Sequence, residues 1–222
     1  MKRILLHLIP LLILIACKKN DGTPREETIT KGSKWNLQIG APAAEVYAQL
    51  QKLGTEQAFN DVAVVGQQPF VNPSELQQRL QYYQAVTIMN TSGRQERAVI
   101  LFKDDKVGSV NVGSSLPVEA PLWPQDVPEA TAIHTGDPLS AIYEKLNSLY
   151  QIPQYKSYQL WLPDKPLNRP FDPSMANFEE WRFTMFDNVA VSKTGRSTVS
   201  LFFKNGRLIK IKSIYDEFEV YI

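Results

Sequence analysis

One segment of this chain occurs twice, and that duplication limits the possible folds more than any other feature. Gly40, Pro42, Val46, Tyr47, Leu50 and Leu53 recur as Gly136, Pro138, Ile142, Tyr143, Leu146 and Leu149, every pair 96 residues apart. Gapless agreement at six positions makes coincidence the weaker reading. Each copy reads as the start of a helix. Proline suits a first helical turn, where its missing N–H is no loss and its fixed φ is already right. Asp137 is a good N-cap for the second copy, whereas Ala41 is a poor one for the first. Val46, Leu50 and Leu53 form a one-sided apolar stripe, repeated by Leu139, Ile142, Leu146 and Leu149, so each helix is expected to bury one face.

The correspondence continues downstream with small shifts. Asn72-Pro73-Ser74 matches Asp172-Pro173-Ser174 at a spacing of 100, which predicts a second capped helical turn in each copy. Ile100-Leu101-Phe102-Lys103-Asp104-Asp105-Lys106-Val107 then matches Leu201-Phe202-Phe203-Lys204-Asn205-Gly206-Arg207-Leu208 at a spacing of 101. Asn205-Gly206 between two β-rich runs is a strong signal for a two-residue hairpin turn. The expected class is α+β: a tandem repeat of helix-loop-helix plus antiparallel β-sheet. Repeat one is read as residues 34–115 and repeat two as 129–222. Pro117, Pro121, Pro124 and Pro128 mark residues 116–128 as the linker, with Trp123 packed onto one repeat.

Upstream of the repeats, Lys2 and Arg3 precede an apolar run over residues 4–16, too short to span a bilayer and suited to a secretory signal. It ends in Leu14-Ile15-Ala16-Cys17, which resembles the bacterial lipobox, with Cys17 acylated and cleavage before it; an ordinary signal peptide that happens to contain a cysteine is the alternative. Two or three acyl chains would anchor the protein stably without spanning. Residues 17–33 are polar, with no apolar period, and read as a flexible tether. Lys18 is not the aspartate that signals inner-membrane retention in enterobacterial lipoproteins, so outer-membrane placement is expected, with either side possible. The run Cys17-Lys18-Lys19-Asn20-Asp21 resembles the start of many Bacteroidetes lipoproteins.

Charge and composition exclude several function classes. With 24 Lys and Arg against 23 Asp and Glu, the chain has no electrostatic footprint for nucleic acid. One cysteine and two histidines, of which His134 alone follows the signal, leave no zinc cluster, thiol nucleophile or two-histidine site. His134 reads as structural. There is no nucleophile elbow or phosphate-cradling loop, so no cofactor is expected. Carboxylates remain for an enzyme: Asp104, Asp105, Glu179, Glu180, Asp216, Glu217 and Glu219. Asp104 and Asp105 belong to a turn for backbone reasons, and Glu179 and Glu180 read as solvated.

Strand alternation points to a surface instead. In repeat two, Trp181, Phe183, Met185, Val199, Leu201, Phe203, Ile209 and Ile211 are expected on the helix-covered side. Arg182, Thr184, Ser200, Phe202, Lys210 and Lys212 would occupy the other. The aligned open positions of repeat one, Val99, Leu101, Ser109 and Asn111, are uncharged. Arg182, Phe202, Lys210 and Lys212 are therefore candidate partner contacts, against the alternative of a solvated sheet with incidental aromatics. Residues 150–171 are rich in proline and aromatics. Tyr158 and Trp161 there are candidates for stacking on a glycan or peptide, although Tyr158, Leu160 and Leu162 also alternate as a strand would.

The assembled motifs resemble the β-lactamase inhibitor protein and its relatives, which include the small outer-membrane-assembly lipoproteins. The likeness rests on Gly40-Ala41-Pro42 with Val46, Gly136-Asp137-Pro138 with Ile142, and Phe203-Lys204-Asn205-Gly206-Arg207-Leu208 with its weaker counterpart from Phe102 to Val107. It implies helix-loop-helix plus an antiparallel sheet per repeat and a binding surface made by both sheets. The inhibitor's disulfide cysteines are absent, no inhibitory loop residue maps, and β-lactamase inhibition is not implied. The function expected is a membrane-anchored, non-catalytic envelope lipoprotein that binds a protein partner through its open sheet faces. The alternatives are a glycan-binding or glycan-processing lipoprotein using Tyr158, Trp161 and Glu180, and an inhibitor or immunity-type protein.

Overall fold

A computed structural model of the chain describes residues 23–90, 96–113 and 116–219. The apolar start and Cys17 lie outside the described residues. In chain order the elements are β1 (Arg25–Ile29), β2 (Ser33–Lys34), β3 (Leu37–Gln38), α1 (Ala43–Gln57), β4 (Asp61–Val64), β5 (Ala85–Met89), β6 (Arg97–Lys103), β7 (Lys106–Val112), β8 (Val118–Ala120), β9 (Leu122–Trp123), β10 (Ile133–His134), α2 (Leu139–Tyr150), β11 (Gln159–Trp161), β12 (Lys165–Pro166), β13 (Glu180–Ala190), β14 (Lys193–Lys204) and β15 (Arg207–Glu219). Short 3-10 turns cover Pro73–Glu75, Leu80–Tyr82 and Pro173–Asn177. A six-stranded sheet runs β1-β15-β14-β13-β4-β12 and a five-stranded sheet β11-β5-β6-β7-β8. Every pairing in both is antiparallel, so the class is α+β with sheet dominant.

Each helix buries the stripe read from its periodicity, with Val46, Leu50 and Leu53 at most 5% exposed and Ile142, Leu146 and Leu149 at most 1%. The partner sheet of each helix is the distant one. Helix α1 packs with Trp181, Phe183, Val199, Leu201, Leu208 and Ile211 of the six-stranded sheet. Helix α2 packs with Val86, Ile88, Ala98, Ile100, Val107 and Val110 of the five-stranded sheet. The chain therefore exchanges helices between its halves.

Backbone hydrogen bonds fix this exchange in matched pairs. Gly40 N–H donates to Leu208, Leu208 N–H to Ala41, and Ala43 N–H to Gly206. Gly136 N–H donates to Val107, Val107 N–H to Asp137, and Leu139 N–H to Asp105. These are the positions related by spacings of 96 and 101. They also explain the helix starts, because Pro42 and Pro138 occupy the cap positions with extended backbone and no side-chain cap. A carbonyl of the distant hairpin serves an early helical N–H instead. The expected Asp137 cap is therefore not made. Its carboxylate accepts from His134 N–H at 2.7 Å and from Lys145 at 2.6 Å.

The expected second helical element in each half is a 3-10 turn, so helix-loop-helix overstates it. Asn72 and Asp172 cap these turns alike, each accepting the N–H of the serine two residues on at 3.0 Å. Both hairpins turn through two left-handed residues, Asn205-Gly206 at φ 52° and 68° and Asp104-Asp105 at 51° and 56°. Only glycine adopts that region without strain. Asp105→Gly is expected to stabilise the fold by about 0.5 kcal/mol and Gly206→Ala to destabilise it by about 1 kcal/mol, read as shifts in urea midpoint at constant slope.

Several boundaries differ from the sequence reading. Residues 25–29, expected in the flexible tether, form edge strand β1 along β15. Its side chains are mostly exposed, so the ladder orders it without any apolar period to betray it. The proline-rich segment 116–128 is more than a linker, since β8 extends the five-stranded sheet and β9 pairs with β10. Ile209 is 45% exposed, not core. A register shift between Phe202 and Phe203 places one extra residue in β15, which reverses the alternation and buries Leu208 instead.

Between the two apolar cores lies a buried polar cluster. Lys165, 0% exposed, donates to Tyr47 Oη at 2.8 Å and to the Pro166 carbonyl at 2.9 Å. Asp172, also 0% exposed, pairs with Arg79 at 2.8 Å and accepts from Tyr83 Oη at 3.1 Å. Tyr47 belongs to the core of the six-stranded sheet and Tyr83 to that of the five-stranded sheet.

Candidate binding surface

The face of the six-stranded sheet opposite α1 is organised in cross-strand rows. Glu180 lies beside Phe202 and Lys210; Arg182 beside Ser200, Lys212 and Thr28. Next come Thr184, Thr198, Ile214 and Glu26, then Phe186, Arg196 and Asp216. Period-two pleating puts all of these on one side. The structure thus brings Arg182, Phe202, Lys210 and Lys212 together, as the alternation predicted.

Most charges here are committed to neighbours. Arg182 pairs with Glu180 at 2.7 Å, and Lys212 with Glu26 at 3.0 Å. Arg196 grips Asp216 through two bonds of 3.0 and 2.5 Å. Those bonds hold the Asp216 carboxyl below the usual carboxylate range. Lys210 makes no ion pair among the described residues. Its ammonium sits 3.7 Å from the centre of the Phe202 ring, a cation–π contact.

Alternation also carried residues that the sequence reading passed over. Phe186 is 59% exposed, Phe218 38% and Ile214 37%, all on this face around the Arg196–Asp216 pair. Arg196 lies 5.6 Å from the Phe218 ring. The signal was available, because Phe186 continues the Arg182, Thr184 series.

The remaining candidates are scattered. Tyr158 is 3% exposed and packs against Tyr155 and Trp123, its hydroxyl donating to Glu96 at 2.5 Å, so its ring is core rather than contact surface. This is the strand alternative for residues 158–162, with Leu160 and Leu162 also buried. Trp161 lies on β11 of the other sheet. Tyr158, Trp161 and Glu180 consequently do not form one site. Glu217 engages Lys193 and Arg25, and Asp105 engages Arg169. His134 Nε2 meets the Glu129 carbonyl at 2.9 Å, a structural contact.

A concavity of about 730 Å³ lies elsewhere, between the C-terminal half of α1 and the five-stranded sheet. Gln51, Asn60, Asp61, Gln84, Asp164 and Asn168 line it. Burial, reinforced by Asp61, raises the Asp164 pKa. None of the candidate contacts Arg182, Phe202, Lys210, Lys212, Tyr158 and Trp161 lines it, whereas Leu101, an open-face position of the first repeat, does. Comparison with known proteins finds no matching family model, curated protein or solved structure.

Proposed function

We propose that the chain is a lipid-anchored protein of a bacterial cell envelope, held through acylated Cys17 to the outer membrane, and that it binds a partner protein without catalysis. The binding element is the open face of the six-stranded sheet. The observation that carries this reading is Lys210 poised over Phe202, in no ion pair among the described residues, in the row next to Arg182 and Lys212 and on the face away from α1. Aromatic and cationic side chains on an uncovered face are what protein interfaces are enriched in. The partner would offer a carboxylate to Lys210 and an apolar group to Phe202.

The matched hydrogen bonds 96 and 101 residues apart support a finer reading of the fold. The chain is a duplicated α+β unit whose copies trade helices, in the manner of a fused domain-swapped pair. A scaffold of that kind holds two sheets in fixed relation and leaves the side of the six-stranded sheet opposite α1 available.

Loss of a specific partner tests the surface. Wild-type protein drawn from solubilised envelope should retain a partner that Phe202→Ala/Lys210→Glu loses by at least tenfold, because a central aromatic and a reversed charge together exceed about 2 kcal/mol. Equal recovery would discard this face.

A further inference from the structure

The far end of the six-stranded sheet carries a feature that protein binding at Phe202 does not use. Strands β13 and β14 run past the core, and residues 186–192 are all exposed. Among them Phe186 is 59% exposed, Val189 44% and Val191 94%, with Phe218 at 38% on the adjoining end of β15. The β6–β7 and β14–β15 hairpins turn on Asp104-Asp105 and Asn205-Gly206, whereas this one turns on Val191-Ser192. Apolar side chains collected on a projecting tip mark a contact with an apolar phase.

The direction of the chain says which phase. Strand β1 is antiparallel to β15, with Ile29 beside Ile211 and Arg25 beside Tyr215. Moving towards the N-terminus along β1 therefore means moving towards Glu219 and the β13–β14 tip. Thr23 precedes β1 at that same end, and Cys17 is six residues further back. Six residues reach at most about 20 Å. Two strand spacings, about 10 Å, separate β1 from β14 across the sheet. An acyl group on Cys17 would hold this end of the sheet within about 20 Å of the bilayer.

We propose that the β13–β14 tip is a second membrane contact: Phe186, Val189, Val191 and Phe218 enter the lipid interface beside the acyl anchor and set the orientation of the sheet. The proposal rests on the lipid anchoring of Cys17. At this end Arg196 pairs with Asp216 and Lys193 with Glu217, while exposed Asp187 lies on the opposite side of β13 from Phe186, so the apolar side chains lead insertion and the contact is expected to survive high salt.

A spin label reads the depth directly. Cys17 is the sole cysteine and its thiol is consumed by acylation, so a label on Val191→Cys reports one site. The acylated full chain is reconstituted on phosphatidylethanolamine/phosphatidylglycerol vesicles, with a label on Glu144→Cys of α2 as the water-exposed reference. The expected result is a 191 label at least fivefold less accessible than the 144 label to a water-soluble nickel chelate and more accessible to oxygen, unchanged in 1 M salt. Chelate access at 191 equal to that at 144, with the chain still floating on vesicles, overturns the tip contact alone. Shielding from both reagents signifies burial in a protein interface, with a second copy or another partner, and overturns it too. A parent chain that fails to float overturns the anchor and this contact together.

Discussion

Asp172→Ala is expected to destabilise the protein by roughly 3–5 kcal/mol, because it leaves a buried charge without its counterion. The Asp172 side chain is 1% exposed and that of Arg79 10%. One carboxylate oxygen accepts from Arg79 and Tyr83, and the other caps the turn Pro173–Asn177 through Ser174 N–H. Truncation strands the Arg79 guanidinium and the Tyr83 hydroxyl and frees the turn. Asp172 stands beside the core of the six-stranded sheet, whereas Tyr83 belongs to that of the five-stranded sheet. The variant should therefore unfold over a broader urea range with a reduced slope, as the cores lose their coupling. A midpoint shift worth less than about 1 kcal/mol, with the slope intact, would refute this role for the pair.

The second large effect is a dependence of stability on pH set by Lys165. Burial, partly opposed by Asp172, brings its ammonium pKa down to about 7. Between about pH 7 and the ordinary lysine value near 10.4, the unfolded chain holds a proton that the folded chain has released. Stability must then rise with pH across that window, by up to about 1.4 kcal/mol per unit, and be lower and flat in this respect below it. Tyr47 and Tyr83 act in the opposite sense at higher pH. Burial raises both, so above about pH 10 the folded chain keeps protons that the unfolded chain gives up, and stability falls. The urea midpoint should peak near pH 10. Lys165→Met should abolish the rise and gain about 1–4 kcal/mol at pH 7. Tyr47 would still donate to the Pro166 carbonyl, so the change orphans no donor. A parent profile that is level from pH 7 to 10 would contradict the burial of this lysine.

How far the fold was legible depended on what each signal physically encodes. Apolar periodicity reports which side of a helix is buried, and it located both stripes. A constant spacing reports which segments are alike but not which touch, so the exchange of helices between sheets was invisible although its contact residues, Gly40, Leu208, Gly136 and Val107, were all within the matched motifs. Alternation located Arg182, Ser200, Phe202 and Lys212 correctly. It failed at Ile209, because a bulge inserts a residue without any mark in the sequence. Strand β1 was missed since an edge strand held by its backbone needs no apolar face. Lys165 was missed because lysine is so rarely buried that nothing in its neighbours announces it. Phe186 and Phe218 were passed over since their strands continue beyond the cover of α1, where side chain type no longer tells inside from outside.

The traded helices have a bearing on how this protein must be made. For a chain delivered N-terminus first, α1 emerges early yet finds its apolar complement only when residues 181–211 have followed, and the five-stranded sheet waits for α2. Each half carries the helix that covers the other's sheet, so fragments split at the proline-rich bridge are expected to regain the native far-UV and near-UV signals only when mixed. Maturation is thereby deferred to the last strand, and a single late truncation would undo the earliest helix.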